Sequence, residues 1–475
     1  MSRKACVIGA GPNGLAAAIV LAQAGLPVDV LEAESAPGGA ARTMELTLPG
    51  FRHDFGSAVY PLGAGSPFFS SLPLMSHGLE WIHSPAALAH PLDDGTAVTL
   101  ERSLGETADA LGADGPAWDK LMRPFVERWT EFAPGVLRPV PSLPRHPWLM
   151  ARFGMVGLQS AEAVARRFRN PRTRALFAGL AAHSFLSLDE PLSAAFAILM
   201  AVPAHAVGWP IPRGGAQSLT DALCGHLSTL GGQVIPSSPV RSLAELPEYD
   251  LFLCDLTPRQ LLRIAGQRLS ESYQRSLGHF RYGAGVFKVD YALHAPIPWK
   301  AADCSRAATV HLGGTFEEIA ASEKAVRTGQ PADHPFVLLA QPSLFDRSRA
   351  PAGKHTAWAY CHVPNGSTAD MLEKVEDQIE RFAPGFRDCI LARRVFSPAG
   401  LESMDANLVG GDIGGGAMDA RQFLFRPTRR YYATSDRDIY ICSASTPPGG
   451  GVHGMCGYHA ARSALSRRDG GITRT

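Results

Sequence analysis

Ala5-Cys-Val-Ile-Gly-Ala-Gly-Pro-Asn-Gly-Leu-Ala-Ala-Ala-Ile-Val-Leu-Ala22 decides how this chain folds. Residues 6–8 are a short apolar run that reads as a buried parallel strand. Gly9, Gly11 and Gly14 then make the tight turn that lets a pyrophosphate reach the backbone at a helix N-terminus. The helix is expected to run to Gly25, a good C-terminal stop. A second strand, 28–31, ends in Glu32, eighteen residues after Gly14, where a carboxylate can accept hydrogen bonds from an adenosine ribose. A carboxylate there also disfavours a 2′-phosphate, which argues against NADP. Gly9, Gly11, Pro12, Asn13, Gly14, Glu32 and Ala33 are therefore assigned to a dinucleotide.

A further segment, Gly38-Gly-Ala-Ala-Arg42-Thr43, moves the cofactor from nicotinamide to FAD. Gly38 and Gly39 let the chain pass close to the pyrophosphate, and Arg42, next to Ala41, brings a permanent positive charge. At the other end of the chain, 438–445 reads as a strand. It is followed by Thr446-Pro-Pro-Gly-Gly-Gly-Val-His-Gly, a glycine-rich turn opening a helix. Backbone N–H groups near Val452 and His453, after Gly450 and Gly451, suit the negative charge of a reduced flavin ring, with His453 acting through its backbone rather than its ring.

The length of 475 residues exceeds what one hydrophobic core fills, and 45% hydrophobic content supplies two. Forty-five Lys and Arg against 44 Asp and Glu leave a net charge of +1, so no global field draws nucleic acid. The eight cysteines lie far apart, with no Cys-x-x-Cys pair, and fit a reducing compartment. The first strand begins too early to leave room for a signal peptide, and no run approaches the roughly 18 apolar residues of a membrane span. The expectation is a cytoplasmic protein, or one bound peripherally to a membrane.

The fold class expected is α/β, an FAD-binding Rossmann-like, amine-oxidase-like domain carrying an inserted α+β substrate domain. Residues 1–65, 208–290 and 401–475 are assigned to the FAD-binding domain, and 66–207, mostly helical, with 291–400 to the substrate or cap domain. Within the insert, 139–147 is a stiff Pro-rich loop, 151–169 and 174–185 are helical patterns, and 194–202 is apolar all round. In the returning FAD-binding part, 218–230 reads as a helix, 231–236 and 240–243 as two strands, and 249–255 as a buried strand. Thr257-Pro258 caps the next helix. Val240 is assigned to the cofactor. Residues 285–293 alternate like a sheet strand, and 467–475 reads as a frayed polar tail.

The N-terminal block, Arg52-His-Asp-Phe-Gly-Ser57, Gly214-Gly215, Asn407-Leu-Val-Gly-Gly-Asp412, Arg426-Pro427 and Pro448-Gly-Gly-Gly-Val-His-Gly454 together resemble the phytoene desaturase family of FAD-dependent oxidoreductases. Within that family the resemblance is to the branch named for pyridine nucleotide-disulfide oxidoreductase domain-containing protein 2. It implies a hydride passing from a C–H bond to flavin to leave a C=C bond, or the reverse, on an apolar small molecule of isoprenoid or carotenoid type. Gly410-Gly-Asp-Ile-Gly-Gly-Gly416 lacks the helix and acid of a second nucleotide site, so oxygen, a quinone, a partner protein or the substrate itself must reoxidise the flavin.

No Ser-His-Asp set, metal-ligand spacing or paired carboxylates stand out, and no metal is expected. His183, in an apolar helix, is the catalytic candidate; Asp54 and Tyr60 are possible substrate-side groups, each with a plain structural reading beside it. Residues 148–158, with Arg166, Arg167, Arg169, Arg172 and Arg174, could form a membrane-facing surface, against an ordinary helical domain with solvated or paired arginines. Two other functions remain open: an amine-oxidase-like flavoenzyme, and a non-catalytic prenyl or lipid escort of the GDP-dissociation-inhibitor type.

Overall fold

Strands β1 (Ala5–Ile8) and β2 (Val28–Leu31) are buried along their whole length, β1 as an apolar run and β2 with its one charged residue, Asp29, ion-paired with Lys4 and accepting the Tyr249 hydroxyl. The computed structural model describes residues 4–140 and 142–468; residue 141 of the Pro-rich loop and 469–475 of the polar tail lie outside the described residues. β3 (Thr43–Glu45) pairs with β4 (Arg52–Asp54), and β5 (Trp81–Ile82) with β8 (Ile211–Pro212). β6 (Ala86–Pro91) and β7 (Ala97–Glu101) form a hairpin within the stretch read as mostly helical.

β9 (Gln233–Ile235), β10 (Leu251–Cys254) and β16 (Ile439–Ile441) complete a five-stranded parallel sheet in the order β16-β10-β1-β2-β9. This is the Rossmann-like half of an α/β fold. Its first helix, Pro12–Gln23, crosses the last, Met455–Arg468, so closely that a Cβ on Gly457 would lie 1.8 Å from the Asn13 carbonyl oxygen. These two helices are thereby locked together beside the glycine turn.

β11 (Gly285–Leu293), β12 (Thr309–Leu312), β13 (Val337–Ala340), β14 (His355–Val363) and β15 (Ile390–Phe396) join the hairpin in a seven-stranded sheet, β15-β11-β14-β13-β12-β6-β7. All its pairs are antiparallel except β12 with β6. β11 runs across residue 290, where the two domains were divided by sequence. It alternates in direction but not in exposure, because both of its faces are buried. One face meets the helix Leu372–Phe382 through Phe287, Val289, Ala359 and Cys361; the other looks toward the Rossmann-like half.

Three sequence expectations change. The segment 240–243 is no strand: the Ser242 side chain accepts the Ala244 N–H at 3.2 Å and caps the short helical turn Leu243–Glu245, which ends any extended run there. The pattern at 151–169 is two helices, Pro147–Gly157 and Ala161–Ala165, divided where Ser160 accepts the N–H of Ala163 and caps the second. The next helix, Pro171–Ala182, starts at the Asn170 cap and stops at His183 rather than at 185.

Candidate active site

The turn after β1 builds one end of a cavity of about 1140 Å³. Gly11 caps the first helix and stands against Asp255, so that a Cβ there would come 2.7 Å from the Asp255 Oδ2. That oxygen accepts the Gly14 N–H at 2.9 Å. Gly14 itself is pressed onto the Gly9 carbonyl, 2.0 Å from where a Cβ would sit. Gly9, Gly11, Pro12 and Asn13 line the cavity, whereas Gly14 shapes the turn from behind. Asn13 Oδ1 and Thr257 Oγ1 are buried on this wall with no hydrogen-bond partner among the described residues.

Glu32 closes β2 with both carboxylate oxygens engaged, Oε2 accepting from Ala10 N at 2.7 Å and Oε1 from Glu34 N at 2.9 Å. It and Ala33 line the cavity, as does Val240 from its loop. Gly38, at φ +128°, donates its N–H to the Ala10 carbonyl and so turns Gly39, Ala41 and Arg42 onto the wall. The buried Arg42 donates to the carbonyls of Gly39 at 2.7 Å and Met404 at 3.0 Å.

Gly450, Gly451, Val452 and His453 line the same cavity just before the last helix. His453 Nδ1 accepts the Met455 N–H at 3.0 Å, its carbonyl accepts the Ser66 hydroxyl at 2.6 Å, and burial pushes its pKa down to about 4. The ring is thus neutral and tied to the helix start, while Nε2 has no partner among the described residues.

Sequence reasoning quoted the residues that brace this end within motifs and strands but assigned them no role. Asp255, one position past β10, holds the Gly14 N–H, and burial pushes its carboxyl up to about 7, toward the neutral form that best tolerates a phosphate beside it. Asn407 accepts Thr257 N–H and donates to the Asp255 carbonyl, each at 2.9 Å. The fully buried Arg426 spans the carbonyls of Gly415 and Ala444 at 2.7 and 2.9 Å, fastening the loop 414–416 under Gly450. The strand ending at Asp255 was readable; its position against the two glycines needed the parallel register of β1 with β10.

Beyond the cradle the cavity widens into a chamber walled by Phe153, Phe185, Ala195, Phe196, Leu199, Met200 and Trp209, and floored by the large sheet. His183 reaches it from the end of its helix and shares a hydrogen bond with His311, Nε2 to Nε2 at 3.0 Å. Burial lowers its pKa to about 3, so it is neutral at ordinary pH. Tyr60 also lines the cavity, its hydroxyl donating to the Ser57 carbonyl at 2.9 Å. Asp54 does not reach it. Its carboxylate is ion-paired with Arg349 at 2.7 Å and accepts Thr43 Oγ1 and Ala216 N, each at 2.8 Å, which makes it a structural knot rather than a substrate-side group.

Among the described residues no group of His, Cys, Asp and Glu could hold a metal ion, and no helix is long and apolar enough to cross a membrane. Two glycine cradles, an acid at the end of β2 and unpartnered polar atoms on residues of the wall together fit FAD.

A model of the NAD(P)-binding Rossmann-like domain matches residues 7–70. The chain is 26% identical to the mouse pyridine nucleotide-disulfide oxidoreductase domain-containing protein 2, over 96% of this chain and 92% of that protein. It is 25% identical to a lycopene-forming phytoene desaturase of Pseudescherichia vulneris, over 98% and 99%. The resemblance read from the motifs therefore extends along nearly the whole chain. Wild-type putrescine oxidase bound to putrescine shares the fold, with a TM-score of 0.60 at 17% identity over 99% of both chains.

Proposed function

We propose that this chain is an FAD-dependent oxidoreductase that moves a hydride between flavin and an apolar small molecule of isoprenoid or carotenoid type. One observation carries the reading: the glycine-lined cradle and the apolar, aromatic-walled chamber are a single continuous cavity. FAD supplies the hydride-accepting and hydride-donating chemistry. This chain's residues bind and orient. Phe185, Leu199 and Trp209 exclude water, Tyr60 sits near the junction, and His183, neutral and backed by His311, is the polar group placed to handle a proton. The division of the chain into an FAD-binding part and a substrate part at the boundaries read from sequence belongs to the same proposal, as does electron return to oxygen, a quinone or a partner protein.

An amine substrate fits less well. The stacked pair Trp358 and Tyr360, with ring centroids 5.8 Å apart, already has the Lys288 ammonium 5.4 Å above the Trp358 ring, and that charge is paired with Asp290, so a second cation would find the ring taken and no free counter-charge. The test is an absorption spectrum of the purified protein, followed by anaerobic mixing with polyenes, their saturated analogues and amines. Flavin bands bleached by apolar isoprenoid-type compounds and not by amines are expected; bleaching by amines alone would overturn the assignment, and a colourless protein that binds prenyl groups would make it an escort.

The same reading includes contact with a bilayer. Leu143, Trp148, Met155 and Leu158 are 66–88% exposed beside the cavity mouth, to which Val140, Ser142, Phe153 and Leu158 contribute. The arginines nearby are largely spoken for: Arg166 pairs with Glu162 at 2.6 Å and Arg174 with Glu317 at 2.7 Å. Docking should therefore rest on apolar contact rather than charge. Sedimentation with neutral phosphatidylcholine vesicles is expected to carry the protein down, insensitively to salt, and a Trp148→Ser/Met155→Ser/Leu158→Ser variant to stay in solution. Equal sedimentation of both proteins would remove the bilayer from the reading.

A further inference from the structure

The sheet floor of the chamber is more polar than a hydrocarbon requires. Alternate residues of β11, β12 and β14 share one face, which places Lys288, Thr309, Trp358 and Tyr360 on the cavity wall beside Val286 and Leu338. Thr309 and Trp358 both pair in register with the small Ala340 of the strand between them. Thr309 Oγ1 and Trp358 Nε1 are buried with no hydrogen-bond partner among the described residues, and these side chains are only 2% and 4% exposed. An indole N–H can only donate, so what satisfies it must accept. Buried donors without partners are uncommon, and here both belong to residues on the wall of the cavity.

The charges around them decide what kind of acceptor. Lys288 is ion-paired with Asp290, and the neighbouring Arg349 with Asp54 at 2.7 Å, so the buried charges already balance. A carboxylate on this floor would add an uncompensated negative charge, and an ammonium an uncompensated positive one. A carbonyl oxygen accepts from two donors and brings neither charge nor proton.

We propose that Trp358 and Thr309 form a subsite for a neutral carbonyl oxygen, so that the substrate is an apolar ketone or aldehyde rather than a pure hydrocarbon, an acid or an amine. This rests on the reading of the chamber as the substrate site and narrows its substrate class. The neutral His183 lies beside the same row, next to His311 of β12, and adds no charge to it.

Calorimetric titration of the flavin-loaded protein with geranylacetone, the matching hydrocarbon, the matching carboxylic acid and the matching amine tests this. Geranylacetone is expected to bind at least about fivefold more tightly than the other three, the increment of one buried hydrogen bond. In the Trp358→Phe/Thr309→Val protein the ketone should fall to the affinity of the hydrocarbon, with hydrocarbon binding unchanged as proof of an intact chamber. The nearly isosteric Thr309→Val alone should show part of the loss if the double variant does not fold. Equal wild-type affinity for ketone and hydrocarbon, tighter binding of the acid or amine, or a ketone preference that survives the substitutions would overturn the subsite. Absence of flavin from the preparation would instead sink the oxidoreductase reading, and the same titration on that protein would still decide the subsite.

Discussion

Gly11→Val protein is expected to purify folded but nearly colourless, with the ratio of flavin to protein absorbance below about a tenth of wild type, a loss of at least about 1.4 kcal/mol in retention. The argument is steric. Gly11 lines the cavity at the helix start, and its missing Cβ would already lie 2.7 Å from the Asp255 carboxylate. Valine adds two methyl groups in the space where a pyrophosphate must approach the N-terminus of the helix Pro12–Gln23. The clash within the protein is with the end of a side chain that can rotate, so the fold should survive. Gly14→Val is a poorer probe, because its Cβ would lie 2.0 Å from the Gly9 carbonyl oxygen, and backbone cannot yield without rebuilding the turn. Absorbance spectra of both proteins, with circular dichroism as the control for folding, check the expectation. Full flavin occupancy in folded Gly11→Val protein would place the cofactor elsewhere.

Local signals made this end of the molecule legible. Strand, glycine turn, helix and acid follow one another within thirty residues, and each has its own chemistry, so β1, the helix Pro12–Gln23, β2 and Glu32 all fall where the sequence puts them. The C-terminal turn was legible for the same reason, since glycines and prolines before a helix carry their conformation with them. What resisted reading depends on pairing across long separations. Asp255 reaches Gly14 across 241 residues, and the hairpin β6-β7 joins the large sheet through β12, more than 200 residues away. No periodicity encodes those partners. The polar sheet floor was hidden for a second reason: Lys288, Thr309 and Trp358 sit in strands whose two faces are both buried, so the usual contrast between an inner and an outer face is missing. Asp54 shows the converse, a carboxylate near the right motif that the fold uses to fasten Arg349.

Stability is expected to fall steeply as the pH drops below about 6.5, the ordinary histidine value. Burial lowers His53 and His183 to about 3, and His90, His205, His453 and His459 to about 4. In the unfolded chain each takes up a proton near 6.5; in the folded chain it does so only far lower. Between those limits the unfolded state binds more protons, so stability rises with pH and is lost on acidification, at about 1.4 kcal/mol per pH unit for each histidine. Asp255 and Asp290 work in the opposite sense. Burial raises them to about 7 and about 6, so the folded state holds their protons over a range where unfolded aspartates have released them. Six histidines outweigh two carboxyls, and the net slope keeps the histidine sign. Thermal melts from about pH 8 down to about pH 5 should show the highest melting temperature at the alkaline end and a progressive loss below pH 6.5. A flat profile would mean that these rings are hydrated or charged in the folded protein. His183→Phe should remove one histidine's share of the slope while leaving the others, which separates this chamber-facing ring from the five elsewhere. The same pKa shift fixes what His183 can do for chemistry: near neutral pH it offers a lone pair or an N–H but almost never a positive charge. Any inflection that turnover shows near pH 6.5 must therefore come from another group.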